Sequence, residues 1–261
     1  MCRWMAYAGP PIYLDSVLFR PDNSLVRQSL NARWSKVVTN GDGFGIGWYG
    51  DRDTPGLYRD VLPAWNDENL HELATQVRSG LFFAHVRAAT GGSATARTNC
   101  HPFRHGKWLF MHNGAIGEFA SLRRELDLGI PESLYRHKEG TTDSETIFFL
   151  LLASGLDDDP GGAFQRTVET VRAAMAERGI AAPFRFAAVA TDGERLIAIR
   201  YSSDSQSPSL FYGLGAAGSP DSVMIMSEPA DADTGQWSEV PESSLVFAGA
   251  GALHVEPFAA A

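Results

Sequence analysis

The chain has 261 residues, of which 44% are hydrophobic and 20% charged, and a formal net charge of −9; this is the composition of a soluble globular protein that needs no disulfide or metal staple. The acidic balance excludes a general nucleic-acid partner, which requires a basic surface. No apolar run reaches the ~18–20 residues of a membrane span, no secretion signal opens the chain, and the two cysteines, Cys2 and Cys100, form no disulfide framework, so the protein is read as cytoplasmic and without a membrane partner.

In chain order, a strand is expected at 44–49. A helix follows, with Leu70, Leu73, Ala74 and Val77 on one face behind a cap at Asn66. Buried strands are expected at 81–90 and 108–113, each a short apolar run bounded by turn residues. Ile116, Phe119, Leu122 and Leu126 mark a second helix. A third starts after Thr142 with Glu145 three residues on, the pattern of a capping box, and its body at 147–153 is apolar all round and so buried. Phe164, Val168, Val171 and Met175 mark a fourth, ended by Gly179. Residues 184–191 and 196–201 form a hairpin about Asp192-Gly193. Strands at 222–226 and 245–255 and an acidic surface loop at 229–241 complete the chain. Hairpins with helices grouped between them specify mixed α and β with antiparallel sheets, not a doubly wound fold.

Two tempting motifs fail on context. Gly45-Ile46-Gly47-Trp48-Tyr49-Gly50 and Gly213-Leu214-Gly215-Ala216-Ala217-Gly218 match the spacing of a dinucleotide fingerprint. Neither opens a helix that could meet a pyrophosphate, so both are glycine-rich turns or tightly packed strands. Cys100, His101, His105 and His112 do not have the spacing of a zinc site, and no metal or other cofactor is expected.

Cys2 has a chemistry of its own. Removal of Met1 leaves a residue that carries both a thiol and a free α-amine. That amine has an ordinary pKa of ~7.7–8 and can take the thiol's proton without a separate histidine. Alone, Cys2 could equally be a buried cysteine. Asn113-Gly114, at the end of an apolar strand, offers a side-chain amide and an unobstructed backbone N–H for an oxyanion, although it also reads as a plain turn. Arg87 inside an apolar strand needs an anion, from a buried ion pair or from a substrate carboxylate. Asp143, in the first turn of the buried helix, either complements the helix dipole or faces a pocket.

These blocks resemble the class II glutamine amidotransferase domain of the stand-alone YafJ-type group. The matching features are Met1-Cys2-Arg3, 85–90, Asn99-Cys100-His101-Pro102-Phe103, His112-Asn113-Gly114 and Thr142-Asp143-Ser144-Glu145, in the family's order. The resemblance implies an α+β fold, the N-terminal-nucleophile four-layer αββα sandwich with two stacked antiparallel sheets. It implies a single domain over 1–261, with the motif-bearing part at 2–155 and further strands and a loop over 156–261. It also implies roles: Cys2 as nucleophile with its α-amine as base, Asn113 and Gly114 as oxyanion hole, and Arg87 and Asp143 on the α-carboxylate and α-ammonium of glutamine. Thr90 is implied as a further substrate contact, His101 as part of a motif that supports the site, and 91–99 as a loop over bound glutamine. Where many members have an aromatic residue after the arginine and a histidine after the threonine, this chain has Ala88 and Gly91. Arg87 and Thr90 point to opposite faces of a regular strand, so the strand must end or bend before Thr90 if both touch one substrate.

The function expected is hydrolysis of a γ-glutamyl amide through a Cys2 thioester, with release of ammonia or an amine. The partner is a small-molecule substrate, glutamine or a γ-glutamyl amide. With no synthase domain expected in the chain, ammonia would pass to water or to a separate ammonia-accepting synthase. A second reading is a dedicated γ-glutamyl hydrolase acting on a larger amide or peptide. A third, of another class, is a glutamine-binding regulatory module without turnover.

Overall fold

The computed structural model describes residues 2–33, 38–89, 94–231, 236–249 and 251–259. In chain order its elements are β1 (Arg3–Tyr13), α1 (Asp15–Leu18), α2 (Leu25–Leu30), β2 (Phe44–Trp48), β3 (Gly56–Asp60), α3 (Glu68–Gln76), β4 (Arg78–Val86), β5 (Phe103–His105), β6 (Trp108–Ala115), α4 (Phe119–Leu128), α5 (Glu132–Tyr135), α6 (Asp143–Ala153), α7 (Pro160–Glu177), β7 (Arg185–Thr191), β8 (Leu196–Ser202), β9 (Phe211–Leu214), β10 (Val223–Met226), β11 (Ser238–Glu239), β12 (Ser244–Gly249) and β13 (Ala252–Pro257). Among the described residues no helix is long and apolar enough to cross a membrane.

Strand alternation divides the apolar residues into three cores. In β1, Met5 and Tyr7 face one way and Trp4, Ala6 and Ala8 the other; in β6, Trp108 and Phe110 oppose Leu109 and Met111. The first sheet runs β11-β9-β10-β1-β4-β2-β3 and the second β13-β12-β8-β7-β6-β5, with antiparallel pairing throughout. Trp4, Phe83, Leu109, Met111, Val189 and Ile225 share the core between the two sheets. The outer face of the first sheet packs on Val17, Leu25, Leu70 and Ala74 of α1 to α3. The outer face of the second packs on Leu122 of α4, Ile147 and Phe148 of α6, and Phe164 and Val168 of α7. Two sheets with helices outside both give the expected αββα sandwich. Phe148 of α6 stacks on Phe110 of β6 with ring centroids 5.3 Å apart, a contact whose loss in Phe148→Ala would cost ~3–5 kcal/mol.

The expected helices and long strands form, with instructive shifts. The helix at 68–76 is capped by Asp67, whose side chain accepts from Leu70 N at 2.6 Å, rather than by Asn66. The run 245–255 is two strands, β12 and β13, turned at Gly251 with φ of +77°. The strand expected to reach Thr90 ends at Val86. The first glycine motif lies in β2, where a Cβ at Gly45 would run into His101 O and one at Gly47 into Leu109 and Pro102. That is the close strand packing expected of it. The acidic 229–241 segment carries the two-residue strand β11, and 232–235 lie outside the described residues.

Candidate active site

Sheet parity aims the reactive groups at one another. Cys2 shares the face of Trp4 and Ala6, the face that looks into the sandwich, and Asn113 shares the face of Leu109 and Met111 on the opposing sheet. β1 pairs with β4 up to Arg3↔Val86, so Cys2 lies one step past the last pair, beside Arg87. His85 and Arg87 also fall on the inward face of that chain. Cys2, Arg87, His101, Asn113, Gly114 and Asp143 all line one cavity of about 660 Å³ at this end of the sandwich. Six of the seven residues expected at the site are therefore brought together. The seventh, Thr90, lies outside the described residues.

Cys2 is half-buried, and its Sγ accepts from Ala88 N at 3.3 Å. Burial raises its thiol above the ordinary value, while the Ala88 N–H and the charges of Arg87 and Arg3 oppose that rise. The thiolate is thus costly unless a base takes its proton next to it. Cys100 differs: it is fully buried, its Sγ lies against Asp60 O and Ala96 O, and burial pushes its thiol to about 11.

The amide of Asn113 donates from Nδ2 to Cys2 O at 2.8 Å and to Ser227 Oγ at 2.9 Å. Gly114, at the bend that ends β6, has φ of +142°, and a Cβ there would run into Arg185 O and His112 Nε2. Only glycine turns the chain at this point. His112 is buried between Ser144 Oγ, 2.9 Å from Nδ1, and Arg185 O, 3.2 Å from Nε2. A carbonyl only accepts, so Nε2 carries the proton and Nδ1 accepts from Ser144. Burial holds this ring neutral, lowering its pKa against the pull of Asp143 and the Arg185 carbonyl.

Arg87 is 3% exposed. The loop 42–43 grips its backbone, with Arg87 N donating to Gly43 O at 2.8 Å and Asp42 N to Arg87 O at 3.0 Å. Asp42 Oδ2 also accepts from Ala89 N at 2.7 Å. The guanidinium reaches Asp42 O at 3.2 Å and Ala94 O at 3.3 Å. These pairings hold the chain beside the 42–43 loop once β4 has ended at Val86.

Asp143 is the first residue of α6. Its Oδ2 accepts from Ile116 N at 2.9 Å and its Oδ1 from Ser144 N at 2.8 Å, so the carboxylate ties this helix to the segment after Gly114 while facing the cavity. The capping box is only half formed. Thr142 Oγ1 accepts from Glu145 N at 3.3 Å, but Glu145 reaches Glu139 N at 2.9 Å and Gly140 N at 2.6 Å in place of the cap's own N–H.

His101 stacks on His85 with centroids 4.2 Å apart and meets the edge of Phe103. Burial holds both histidines neutral, His85 down to about 3 and His101 well below its ordinary value. Of the four residues once tempting as a metal cluster, His105 faces His137 and Phe149 elsewhere, and Cys100 and His112 have the partners given above.

Sequence reasoning missed Ser227, Asp42 and Asn99. Asn99 Oδ1 accepts from Thr141 N at 2.8 Å and its Nδ2 donates to Ala94 O at 2.9 Å, pinning the loop beside Arg87 to the start of α6. Nothing local marks Ser227 or Asp42, whose partners are remote in sequence, whereas Asn99 opens one of the blocks that carry the resemblance without being assigned a role there.

The family model of class II glutamine amidotransferases matches residues 20–209. A probable glutamine amidotransferase of Saccharomyces cerevisiae, DUG3, is 33% identical over 94% of this chain and 81% of its own length. The γ-glutamyl-hercynylcysteine sulfoxide hydrolase of Mycolicibacterium smegmatis is 31% identical over 94% of this chain and 95% of its own. Among solved structures, a glutamine aminotransferase class-II domain protein from Silicibacter pomeroyi is 37% identical, with a TM-score of 0.78 over 98% of this chain and 99% of that one. The phosphoribosylpyrophosphate amidotransferase of Bacillus subtilis, 15% identical with a TM-score of 0.65 over 98% of this chain and 49% of that one, shares the fold. The family model spans most of the sequence and two relatives above 30% identity match nearly all of it, so the chain belongs to the class II glutamine amidotransferases.

Proposed function

We propose that this enzyme hydrolyses γ-glutamyl amides, glutamine among them, with Cys2 as nucleophile after removal of Met1. The observation that carries the reading is the convergence of Cys2, Arg87, Asn113, Gly114 and Asp143, from two sheets and a helix, on one cavity. The α-amine of mature Cys2 takes the thiol proton, and the thiolate attacks the γ-carbonyl. Asn113 Nδ2 and the Gly114 N–H take the oxyanion, the N–H now on Cys2 O being the one that turns to it. The amide C–N bond breaks as the α-ammonium protonates the leaving amine. Water then hydrolyses the thioester, its proton returning to the α-amine, and glutamate leaves. Arg87 holds the α-carboxylate and Asp143 the α-ammonium, which fixes the γ-carbonyl over Cys2. His101 serves as a neutral wall of the pocket.

The cavity is in the range of pockets that enclose ligands larger than one amino acid. It runs past Asp143 to Glu118, Phe119 and Arg123 of α4 and its approach. This supports the second reading, a preference for a larger γ-glutamyl amide, as does the similarity to the mycobacterial hydrolase. A non-catalytic module has no use for a cysteine set against a donor pair, and family membership makes the chain an enzyme. Ammonia passes to water or to a separate acceptor enzyme. The two free thiols suit a reducing, cytoplasmic setting.

Intact-mass measurement before and after a diazo-ketone glutamine analogue tests the assignment. The expected result is a chain lacking methionine with one adduct on Cys2; an adduct on Cys100, or a retained Met1 in active protein, overturns it. Steady-state rates on glutamine against γ-glutamyl peptides decide the leaving group.

A further inference from the structure

Ser227 follows β10 directly, is wholly buried, and is held to the strand that starts at the nucleophile. Its backbone N donates to Trp4 O at 3.0 Å, and its Oγ accepts from Trp4 N at 3.1 Å. The hydroxyl proton has its acceptor in Trp4 O, 3.4 Å away. The one remaining lone pair of Oγ faces Asn113, which donates to it from Nδ2 at 2.9 Å.

An asparagine amide can sit either way round, with its oxygen and nitrogen exchanged, and only its partners choose between the two. Cys2 O is an acceptor and cannot face Oδ1 without repulsion, but it is also the group displaced when an oxyanion takes its N–H. During turnover, therefore, Ser227 Oγ is the fixed reference for the amide. Its own proton is engaged with Trp4 O, so it presents an acceptor to Asn113 and requires the NH₂ end.

We propose that Ser227 is a positioning residue for the reaction, holding one N–H of the Asn113 amide so that the other N–H, and not the carbonyl oxygen, faces the reacting carbonyl at Cys2. The inference rests on the reading of Asn113 as an oxyanion donor and adds to it the group that orients that donor. Without Ser227 Oγ the amide turns over in part of the population and sets Oδ1 against the developing negative charge. Ser227 does not touch substrate and Ser227→Ala removes one buried oxygen, so ground-state binding through Arg87 and Asp143 is untouched.

The test is steady-state kinetics of Ser227→Ala, Asn113→Ala and the double variant on glutamine, with thermal unfolding and the rate of inactivation by iodoacetamide. Loss of one hydrogen bond that matters only in the transition state predicts that Ser227→Ala lowers kcat about tenfold and leaves KM within about twofold. In the Asn113→Ala background the same change has no further effect on kcat. Iodoacetamide needs the thiolate but no oxyanion hole, so its rate stays at that of the parent enzyme. Unchanged kcat, losses that multiply in the double variant, or slowed alkylation of folded protein would each overturn the proposal, the last by showing that Ser227 acts on Cys2 itself. Turnover retained by Cys2→Ala would instead sink the proposed function, whatever Ser227 does. Should Ser227→Ala melt too low to assay at the working temperature, the same comparison with Ser227→Thr, which keeps the oxygen, must give parent kcat.

Discussion

The side-chain amide of Asn113 reaches from one sheet to the other and donates to the backbone carbonyl of Cys2 at 2.8 Å. In the proposed mechanism this contact joins the nucleophile to the donor that receives the charge its attack creates. It also sets the distance across the mouth of the sandwich, because both residues sit on strand ends whose inward faces are packed by Trp4, Leu109 and Met111.

Asn113→Ala should raise the barrier to acyl transfer by ~2.7–4 kcal/mol, lowering kcat by a factor of ~10²–10³. KM should stay nearly constant, since the amide has no role in holding the α-groups of the substrate. Steady-state kinetics on glutamine check this, and a change confined to KM would remove Asn113 from the oxyanion hole.

Arg87→Ala should act the other way. A charge-assisted pair with a carboxylate contributes ~1.5–3 kcal/mol, so KM should rise on the order of ten- to a hundredfold with a smaller fall in kcat. Asp42→Ala, which frees Ala89 N and leaves the backbone grip on Arg87, should show a weaker form of the same defect. An Asp42 variant that lost kcat and kept KM would contradict the positioning of this segment by the 42–43 loop.

Gly114→Ala should fail by geometry. The position has φ of +142°, and a methyl group there meets Arg185 O and the His112 ring. The expected cost exceeds ~1 kcal/mol from backbone conformation before the clash is added. Chemical denaturation and turnover should both register it, while Gly106→Ala, in open space though also at positive φ, should lose stability and keep its activity.

Acid should weaken the fold through the stacked histidines. His85 has its pKa lowered from 6.5 to about 3, first by burial and then by Arg87, and His101 is lowered in the same direction. Between about pH 3 and 6.5 the unfolded chain therefore binds protons that the folded chain does not. Stability rises with pH across that window, is complete above it, and is lost as pH falls through it. Urea midpoints at pH 7.5 and pH 5 should differ in this sense, and His85→Phe, which keeps a ring and removes the titration, should narrow the gap. An equal gap in both proteins would assign the acid sensitivity to other groups.

What the sequence alone determined was local. Apolar spacing marked α3, α4 and α7, an all-round apolar body marked α6, and short apolar runs marked β2, β4, β6, β7, β8 and β10, because burial of one face or of all faces leaves its trace in the residues themselves. The cysteine at position 2, the Asn-Gly pair, Arg87 in an apolar run and Asp143 in the first turn of a buried helix each had a plain structural reading too, and the ordered blocks that resemble the family singled them out. Strand β1, whose run is broken by Gly9-Pro10-Pro11, escaped, as did the short strands β3, β5 and β9 and the helices α1, α2 and α5, which are too brief to show a period. Tertiary structure alone decided the rest: that β4 ends at Val86 because the 42–43 loop takes over the backbone of Arg87, that Glu145 serves the turn at 139–140, and that Ser227 stands behind Asn113. The first and last of these are hydrogen bonds between segments far apart in the chain, and the second closes a turn whose residues lie five and six positions from Glu145. A serine or aspartate with such a remote partner has no neighbour in sequence to announce it: strand pairing sets Asp42 beside Arg87 and Ala89, and the stacking of the two sheets brings Ser227 to Asn113.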